Sequence, residues 1–392
     1  MSDKLNKLDG IKKAAEYIET RGSYVKTAIN TQSAVWSGEK IDVPPIVLTC
    51  SLTEEQNSWL PWYNTNETHF DSEKMFVTGL RESISAVNGN FGAVPSMRAN
   101  MGCGIVPSLF GIQQTLFDDG KMPWMLEHIK KETFDRDSVF TPDDSRNGEE
   151  FKAAMRHMEY MTEKLREYDV KNVFVYPLDL QGAIDTAHLI YGDEIFYDFY
   201  DDPDFIHNLL KLSCDAMDFA MRECFKRMDR SDEFVTHYNM WVMPRKLGGL
   251  KLSEDTTTLL PPAIIEEFAA PYLRIMLERY NGGYVHYCGK NNYLLDMVLK
   301  EPLVRGINFG NPDMHDMPEV IRRCKENKKV YAGGLHIKPG ENLSDLLTRV
   351  LEAAYDRETG CFYVLLQYYC DIKERKNFLG EFERVFDKIR KN

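Results

Sequence analysis

Short β-rich runs alternate regularly with longer amphipathic stretches along this chain, and this pattern restricts the possible folds more than any other in the sequence. Such alternation is typical of βαβ units, in which helices link parallel strands. We predict eight strands, at residues 45–52, 93–99, 172–177, 234–241, 283–287, 304–309, 329–333 and 361–368. Helical patterns lie between most of these runs, at residues 72–87, 149–168, 203–228, 262–280, 292–300, 343–354 and 377–389.

Eight strands in this order favour an α/β fold of the (β/α)8 TIM-barrel type, formed by residues 41–392 as a single domain. No Gly-x-Gly-x-x-Gly motif follows the first run, which argues against a dinucleotide-binding sheet, although an open doubly wound sheet is the structural alternative. Residues 1–40 are predicted to form an N-terminal helical extension with one apolar face. Residues 111–144 form a long irregular insert whose aromatic side chains indicate a functional loop.

Charge and composition exclude several classes of function. The net charge of −13 is unfavourable for binding nucleic acid or an anionic membrane surface, both of which require clustered Lys and Arg. Residues 1–19 lack the apolar core of a signal peptide, and no apolar run is long enough to cross a bilayer. Eight cysteines spread over 392 residues do not resemble a disulfide framework. We therefore expect a cytoplasmic protein without nucleic-acid or membrane partners.

The strongest chemical signal is a His-x-Cys pair, His286 and Cys288, at the end of the fifth predicted strand. Residues two apart in a strand point to the same face, and barrel enzymes carry their chemistry at this end. Imidazole and thiolate are ligands that zinc prefers. A third candidate ligand, Cys370, follows the eighth predicted strand and would reach the same mouth of a closed barrel. The alternative interpretation is that these cysteines are buried core thiols.

Acidic and amide side chains follow two other predicted strands. Asp179 and Gln181 come after the third strand, where they are candidates for catalysis and for substrate binding, respectively. Glu254 and Asp255 lie beyond the fourth strand and are candidate acid–base groups, with a fourth, displaceable metal ligand as a further possible role. An acidic pair that only stabilises a helix N-terminus is the alternative interpretation.

Four more polar residues are candidate substrate-binding groups. Arg98 and Asn100 end the second predicted strand, and Arg98 is suited to an anionic group of the substrate. Asn308 ends the sixth strand, where asparagine either binds substrate or forms a turn, and His336 follows the seventh strand.

These segments resemble the uroporphyrinogen decarboxylase superfamily, and within it the cobalamin-dependent methyltransferases of the methylcobamide:coenzyme M type. The resemblance extends from about residue 172 to the end of the chain and also touches residues 97–110. The matching segments are Asp179-Leu180-Gln181-Gly182, Asp201-Asp202-Pro203, residues 268–273, His286-Tyr287-Cys288-Gly289, residues 306–310 and Cys370-Asp371.

The resemblance implies a (β/α)8 barrel that binds zinc through His286, Cys288 and Cys370. It also implies transfer of a methyl group between a corrinoid (cobalamin) and a thiol, ether or other heteroatom of a small molecule. The chain has no Asp-x-His-x-x-Gly corrinoid-binding motif, so the corrinoid is expected to arrive on a partner protein. Thiols, tetrahydrofolate, methoxylated aromatics and methylamines all fit as methyl donor or acceptor.

The chain departs from true decarboxylases of this superfamily, whose Arg-rich N-terminal loop binds a polycarboxylate. Residues 49–61 contain no Arg at all, so decarboxylation of a tetrapyrrole is not expected. Two alternatives stay open at this point. One is a metal-free decarboxylase acting on a smaller carboxylated substrate, and the other is a non-catalytic barrel that only carries the corrinoid protein.

Overall fold

The computed structural model describes residues 2–134, 140, 148–237 and 240–391, with the side chains of residues 2–7 left out. The strands are β1 (Ile46–Cys50), β2 (Ser96–Met97), β3 (Phe174–Val175), β4 (Phe234–His237), β5 (Trp241–Pro244), β6 (Leu250–Ser253), β7 (Gly283–Tyr287), β8 (Val304–Phe309), β9 (Val330–Gly334), β10 (Tyr355–Asp356), β11 (Cys361–Phe362) and β12 (Val364–Cys370).

Helices separate most of these strands. They are α1 (Ser2–Arg21), α2 (Val25–Ser37), α3 (Glu54–Trp59), α4 (Thr65–Thr68), α5 (Ser72–Gly89), α6 (Glu149–Glu167), α7 (Ala183–Tyr191), α8 (Ile195–Asp201), α9 (Pro203–Phe225), α10 (Pro262–Ile264), α11 (Ala270–Tyr280), α12 (Asn292–Lys300), α13 (Met317–Glu326), α14 (Leu343–Ala354) and α15 (Arg375–Lys391). Among the described residues, none of these helices combines the length and apolar character needed to cross a membrane.

Side-chain caps fix where several helices begin. The Asp71 carboxylate accepts a hydrogen bond from the backbone N–H of Lys74 at the start of α5. Helix α9 begins with Pro203, whose fixed φ suits the first helical position, and Asp202 caps it. Buried apolar side chains of the helices pack against the strands in one large core, and a smaller second cluster packs α2 against β3, β4 and β5.

The centre of the molecule is a six-stranded sheet with the order β1-β12-β9-β8-β7-β6. Every pairing in this sheet is parallel, so the carboxyl ends of all six strands lie along one edge. The prediction of a mixed α/β chain with a parallel sheet is confirmed. Two further parallel strands, β2 and β3, pair with each other, and a single bridge joins Gln181 to Ser253 at the end of β6.

One predicted strand was wrong. Residues 234–241 do not form the fourth parallel strand, because the chain reverses near Met240, whose φ of 65° is in the left-handed region. The two halves of the run form the antiparallel hairpin β4–β5 instead. Its place in the parallel sheet is taken by β6, which pairs with β7 so that Ser253 lies opposite His286.

The last predicted strand is also different in detail. Its first residues form β11, which pairs with β10 in a small antiparallel ribbon, and the parallel strand β12 begins at Val364. Cys370 is therefore the final residue of β12 and does not follow the strand. It lies opposite Cys50 of β1.

His237 of β4 provides a test of how this core responds to acid. Its ring is buried against Tyr284, with ring centroids 5.0 Å apart, and burial followed by the nearby Lys251 charge lowers its pKa to about 3. Because the unfolded chain binds this proton near pH 6.5 and the folded chain does not, wild type loses stability as pH falls below about 6.5.

We expect His237→Leu to remove that acid sensitivity. The difference in unfolding free energy between wild type and His237→Leu should change by about 1.4 kcal/mol per pH unit between pH 6 and 4. Urea unfolding of both proteins at several pH values measures this difference. The exposed His336 gives a matched control, His336→Leu, which should show the wild-type slope. Equal slopes for wild type and His237→Leu would contradict the prediction.

Candidate functional site

A cavity of about 750 Å³ lies at the carboxyl ends of β6 and β7. Both strands end beside it, because Asp255 follows β6 and Cys288 follows β7. The loop after β2 closes one side with Met122 and Trp124. These two residues belong to the insert at 111–144, of which residues 135–139 and 141–144 lie outside the described part of the chain. The remaining lining includes Arg98, Asn100, Cys103, Asp179, Gln181, Asp185, His188, Lys251 and Ser253.

Three groups with metal-ligand chemistry converge at this cavity. The ligand atoms of Asp255, His286 and Cys288 all lie within 4.8 Å of one another. His286 Nε2 is 3.7 Å from Cys288 Sγ and 3.9 Å from Asp255 Oδ1. The two-residue period of β7 directs the imidazole and the thiol to the same face, and the β6–β7 pairing brings the carboxylate beside them. A nitrogen, a sulfur and an oxygen donor form a set that suits zinc.

The imidazole is oriented for this role by a neighbouring amide. His286 Nδ1 is 2.5 Å from Asn308 Oδ1, and the Asn308 amide nitrogen in turn donates to the carbonyl of Ala332. The amide oxygen therefore faces the ring, so Nδ1 carries the proton and Nε2 presents its lone pair toward Cys288. Burial, and next the Lys251 charge, lower the pKa of His286, which favours the neutral ring that binds metal. Asn308, a predicted substrate-binding residue, is buried behind His286 and orients it.

The carboxylate of the cluster is fixed by backbone contacts. Asp255 Oδ1 accepts a hydrogen bond from the Cys288 N–H at 2.5 Å. Asp185 accepts from the N–H groups of Asp255 and Thr256, each at 2.7 Å, and so holds the turn that carries Asp255. Asp185 was not predicted from the sequence, because it lies in the first turn of α7 without a recognisable motif. Burial, and next the Asp255 charge, raise the pKa of Asp185.

Glu254, a predicted catalytic residue, is buried beside this turn and does not line the cavity. Its Oε2 accepts a hydrogen bond from the Thr257 hydroxyl at 2.6 Å. Burial, and next the Asp185 charge, raise its pKa. A Cβ atom at Gly182 would lie 2.4 Å from Glu254 Oε1, so only glycine leaves room for this carboxyl group.

A row of alternating charges crosses the floor of the cavity. Lys251 donates to Asp179 and also to the Ser253 hydroxyl at 2.5 Å. Arg98 Nη1 lies 3.4 Å from Asp179 Oδ2, and Arg98 Nη2 donates to Asn100 Oδ1 at 3.0 Å. Burial alone would raise the pKa of Asp179, but the Lys251 and Arg98 charges outweigh it and hold that pKa well below its usual range. Asp179 is therefore a fixed anion that organises two cations.

The other predicted site residues are distributed around the cavity. Gln181 lines it and donates to the Asp179 carbonyl at 3.3 Å. His336 is exposed outside it, with Nε2 3.8 Å from Asp313 Oδ2. Cys370 is not part of the Asp255–His286–Cys288 cluster, and its Sγ lies 3.5 Å from that of Cys50.

Exposed apolar side chains lie at the same edge of the sheet as the cavity, and three of them, Met122, Trp124 and Leu259, line it. They lie on segments that follow the carboxyl ends of β1, β2, β6, β8 and β9, and near the end of β12. We name this set the apolar rim, and its members are Trp62, Met122, Trp124, Leu259, Met314, Ile337 and Tyr369. Exposed apolar groups gathered on one face are typical of surfaces that contact another molecule.

Comparison with known proteins gives a match at the level of structure alone. No protein-family model matches the sequence, and no curated protein matches it. A solved structure of a methyltransferase from Methanosarcina mazei is similar to this fold, with a TM-score of 0.62 and 12% sequence identity. The similarity covers 92% of this chain and 99% of that chain. At this identity the match establishes a shared fold over nearly the whole length of both proteins.

Proposed function

We propose that this protein is a zinc-dependent methyltransferase that moves a methyl group between a corrinoid on a partner protein and a small-molecule thiol, ether or other heteroatom. The observation that carries this proposal is the cluster of Asp255, His286 and Cys288 beside a cavity large enough for a small substrate. Its fold similarity to a protein named as a methyltransferase supports the same class of reaction.

We also propose that the parallel sheet belongs to a closed (β/α)8 barrel. Strands β1 and β12 pair at one side of the sheet, and the bridge from Gln181 to Ser253 brings the segment after β3 next to β6 at the other side. Since β3 pairs with β2, only the junction between β2 and β1 has no strand pairing in the described part of the chain.

In this proposal His286 and Cys288 hold the zinc. Two residues are candidates for the third ligand: Asp255, which lies nearest to the pair, and Cys370, which was predicted from the sequence. When bound, zinc would keep a thiol acceptor as its thiolate or polarise an ether oxygen as a Lewis acid. Asn308 keeps the His286 ring neutral and correctly oriented. Mutation of such a supporting residue typically lowers metal affinity by about 10–100-fold.

The remaining cavity residues are suited to binding and charge stabilisation. Lys251 lines the cavity within reach of a substrate atom near Ser253, where its ammonium group would stabilise a thiolate or alkoxide. Asp179 stays ionised at neutral pH and is therefore a positioning group for Lys251 and Arg98, without a proton to donate.

The apolar rim supports a partner protein as the source of the corrinoid. Members of the rim lie at the carboxyl edge of the sheet, from which a protein-bound cobalt would approach the Asp255–His286–Cys288 cluster, and Met122, Trp124 and Leu259 line the cavity itself. A few central residues, most often Trp, Tyr and Arg, contribute most of the binding energy of a protein interface, and the rim offers two Trp and one Tyr. We propose that the corrinoid protein docks on this rim and presents its cobalt to the cavity.

Absorbance of free cobalamin tests the reaction directly. We expect the zinc-loaded protein to interconvert cob(I)alamin and methylcobalamin when thiols or methoxylated arenes are supplied, and the Cys288→Ala variant to be inactive. The control variant is Cys103→Ser, because Cys103 lines the same cavity outside the metal cluster. Turnover of uroporphyrinogen or another carboxylated substrate by metal-free protein would instead establish the decarboxylase alternative.

A further inference from the structure

The turn that carries Cys288 lies against the segment that follows β8, residues 310–315, which we name the β8 loop. Strand β8 pairs with β7 in parallel, and Tyr287 lies opposite Phe309, so the two strands end side by side. Gly289 follows Cys288 with a φ of 90°, in the left-handed region, and both of its backbone polar groups bond to the β8 loop. The loop therefore controls the backbone next to a candidate metal ligand.

Two side chains of the β8 loop hold the backbone of Gly289. Its N–H donates to Asn311 Oδ1 at 3.0 Å, and its carbonyl accepts a hydrogen bond from His315 Nε2 at 3.0 Å. The His315 ring is half-buried and stacks on Phe309, with ring centroids 4.1 Å apart and an angle of 11° between the rings. Asn311 is exposed, so its hydrogen bond competes with water. His315 is therefore the stronger constraint on this turn.

The first residue of the β8 loop sets the space beside the Cys288 thiol. A Cβ atom at Gly310 would lie 2.4 Å from Cys288 Sγ and 3.5 Å from His286 Cε1, so the thiol rests against the glycine backbone. The φ of Gly310 is outside the left-handed region, so it is the missing side chain that matters at this position. Alanine would be accommodated by rotation of the thiol about χ1 of Cys288. That rotation would change the 3.7 Å separation of Sγ from His286 Nε2.

We propose that the β8 loop is the positioning element of the metal site, in which His315 and Asn311 fix the turn at Gly289 and Gly310 leaves the space that the Cys288 thiol occupies. Among the described residues that line the main cavity, none belongs to this loop. Its residues therefore act through Cys288 and not on the substrate. The inference rests on the proposed function, because it assigns the loop a role in binding zinc through Cys288.

Two substitutions at His315 separate its hydrogen bond from the packing of its ring. His315→Phe keeps a ring to stack on Phe309 and removes the donor, whereas His315→Gln keeps an N–H donor and removes the ring. We expect His315→Phe to weaken zinc binding by about tenfold and His315→Gln to weaken it by less. A role in packing alone predicts the opposite order. Chelator competition with zinc in the full-length protein measures both affinities.

The matched control is His207→Phe on α9. His207 also stacks on a phenylalanine, Phe268, with ring centroids 4.5 Å apart, but it is not part of the described cavity lining. This variant should bind zinc as wild type does. Asn311→Ala, which removes the exposed acceptor, should weaken zinc binding by less than His315→Phe does.

Gly310→Ala tests the space beside the thiol. We expect it to weaken zinc binding by about tenfold or more, because the sulfur is displaced from its place near His286. In the cobalt(II)-loaded protein, the same displacement should reduce the thiolate-to-cobalt charge-transfer absorption. The matched control is Gly334→Ala at the end of the neighbouring strand β9, where a Cβ atom would lie an ordinary 3.8 Å from the Gln367 carbonyl oxygen. Gly334→Ala should keep both the zinc affinity and the cobalt spectrum of wild type.

Hydrogen exchange in the metal-free protein tests the hold on the turn without any metal. The segment at residues 287–291 should exchange faster in His315→Phe than in wild type or His207→Phe, because the Gly289 backbone is released. Unchanged exchange, or wild-type zinc binding by both His315→Phe and Gly310→Ala, would overturn the role of the loop alone. A wild-type protein that binds no zinc would overturn the proposed function together with this role.

Discussion

Alanine in place of His286 or Cys288 is expected to reduce the zinc content from about one ion per chain to near zero and to abolish methyl transfer. Each substitution removes one of the closely placed donor atoms at the end of β7. Loss of a supporting group already weakens metal binding by about 10–100-fold, so loss of a ligand should exceed that range. Elemental analysis after dialysis, with a competitive chelator titration, measures the change.

Two variants separate metal loss from general damage to the site. Cys103→Ser changes a thiol in the same cavity that is not part of the cluster, and it should keep stoichiometric zinc. Asn308→Ala leaves all candidate ligands in place but frees the His286 ring, so zinc affinity should fall by about 10–100-fold. Full zinc occupancy in a His286→Ala, Cys288→Ala double variant would show that the metal assignment is wrong.

The third ligand can be decided by the same measurement. The geometry favours Asp255, whose carboxylate is 3.9 Å from His286 Nε2, over Cys370, which lies against Cys50. We therefore expect Asp255→Asn to lower zinc affinity and Cys370→Ser to retain it. The reverse outcome would establish the ligand set predicted from the sequence.

The part of the site that the sequence predicted best depends on local geometry. His286 and Cys288 are two residues apart in and just after a strand, and the two-residue period alone requires them to share a face. Asp179 and Gln181 were also predicted from their position after a strand, and both line the cavity. In these cases the spacing along one segment determines the result.

The parts that the sequence did not predict depend on contacts between distant segments. Lys251 was missed because the short run β6 has a weaker strand pattern than residues 234–241, which instead fold back at Met240. Asp185 was missed because its two hydrogen bonds reach residues 70 and 71 positions away. The periodicity of apolar residues along the chain does not predict such tertiary contacts.

Cys370 is a further residue whose contact with a distant segment could not be predicted from the sequence, in this case a contact between two strands. Its position at the carboxyl edge was predicted, but its nearest sulfur neighbour, Cys50, is 320 residues away in β1. That neighbour follows from the β1–β12 register, which pairs these two residues directly. Register between the first and last parallel strands cannot be derived from either strand pattern alone.

The second large effect is expected at Lys251. Replacing it with methionine of similar length removes the principal cation beside Asp179, whose remaining partner, Arg98, is 3.4 Å away. Removing a charged partner from a largely buried carboxylate destabilises the folded state. Lys251→Met should therefore lower the free energy of unfolding by about 3 kcal/mol, measured by urea unfolding at neutral pH. Lys121→Met, which removes an exposed ion pair with Asp119, is the matched control and should leave the free energy of unfolding nearly unchanged.

A double-mutant cycle distinguishes loss of this ion pair from loss of packing. Asp179→Asn keeps the shape of the side chain but removes the charge that Lys251 neutralises, so the uncompensated carboxylate no longer exists in the double variant. We therefore expect Asp179→Asn with Lys251→Met to cost about 2 kcal/mol less than the sum of the two single changes. Additive costs would mean that Lys251 stabilises the fold through its aliphatic chain. A positive coupling energy would show that the charge row across the cavity floor maintains its own geometry, with Asp179 positioning Lys251 beside the Asp255–His286–Cys288 cluster.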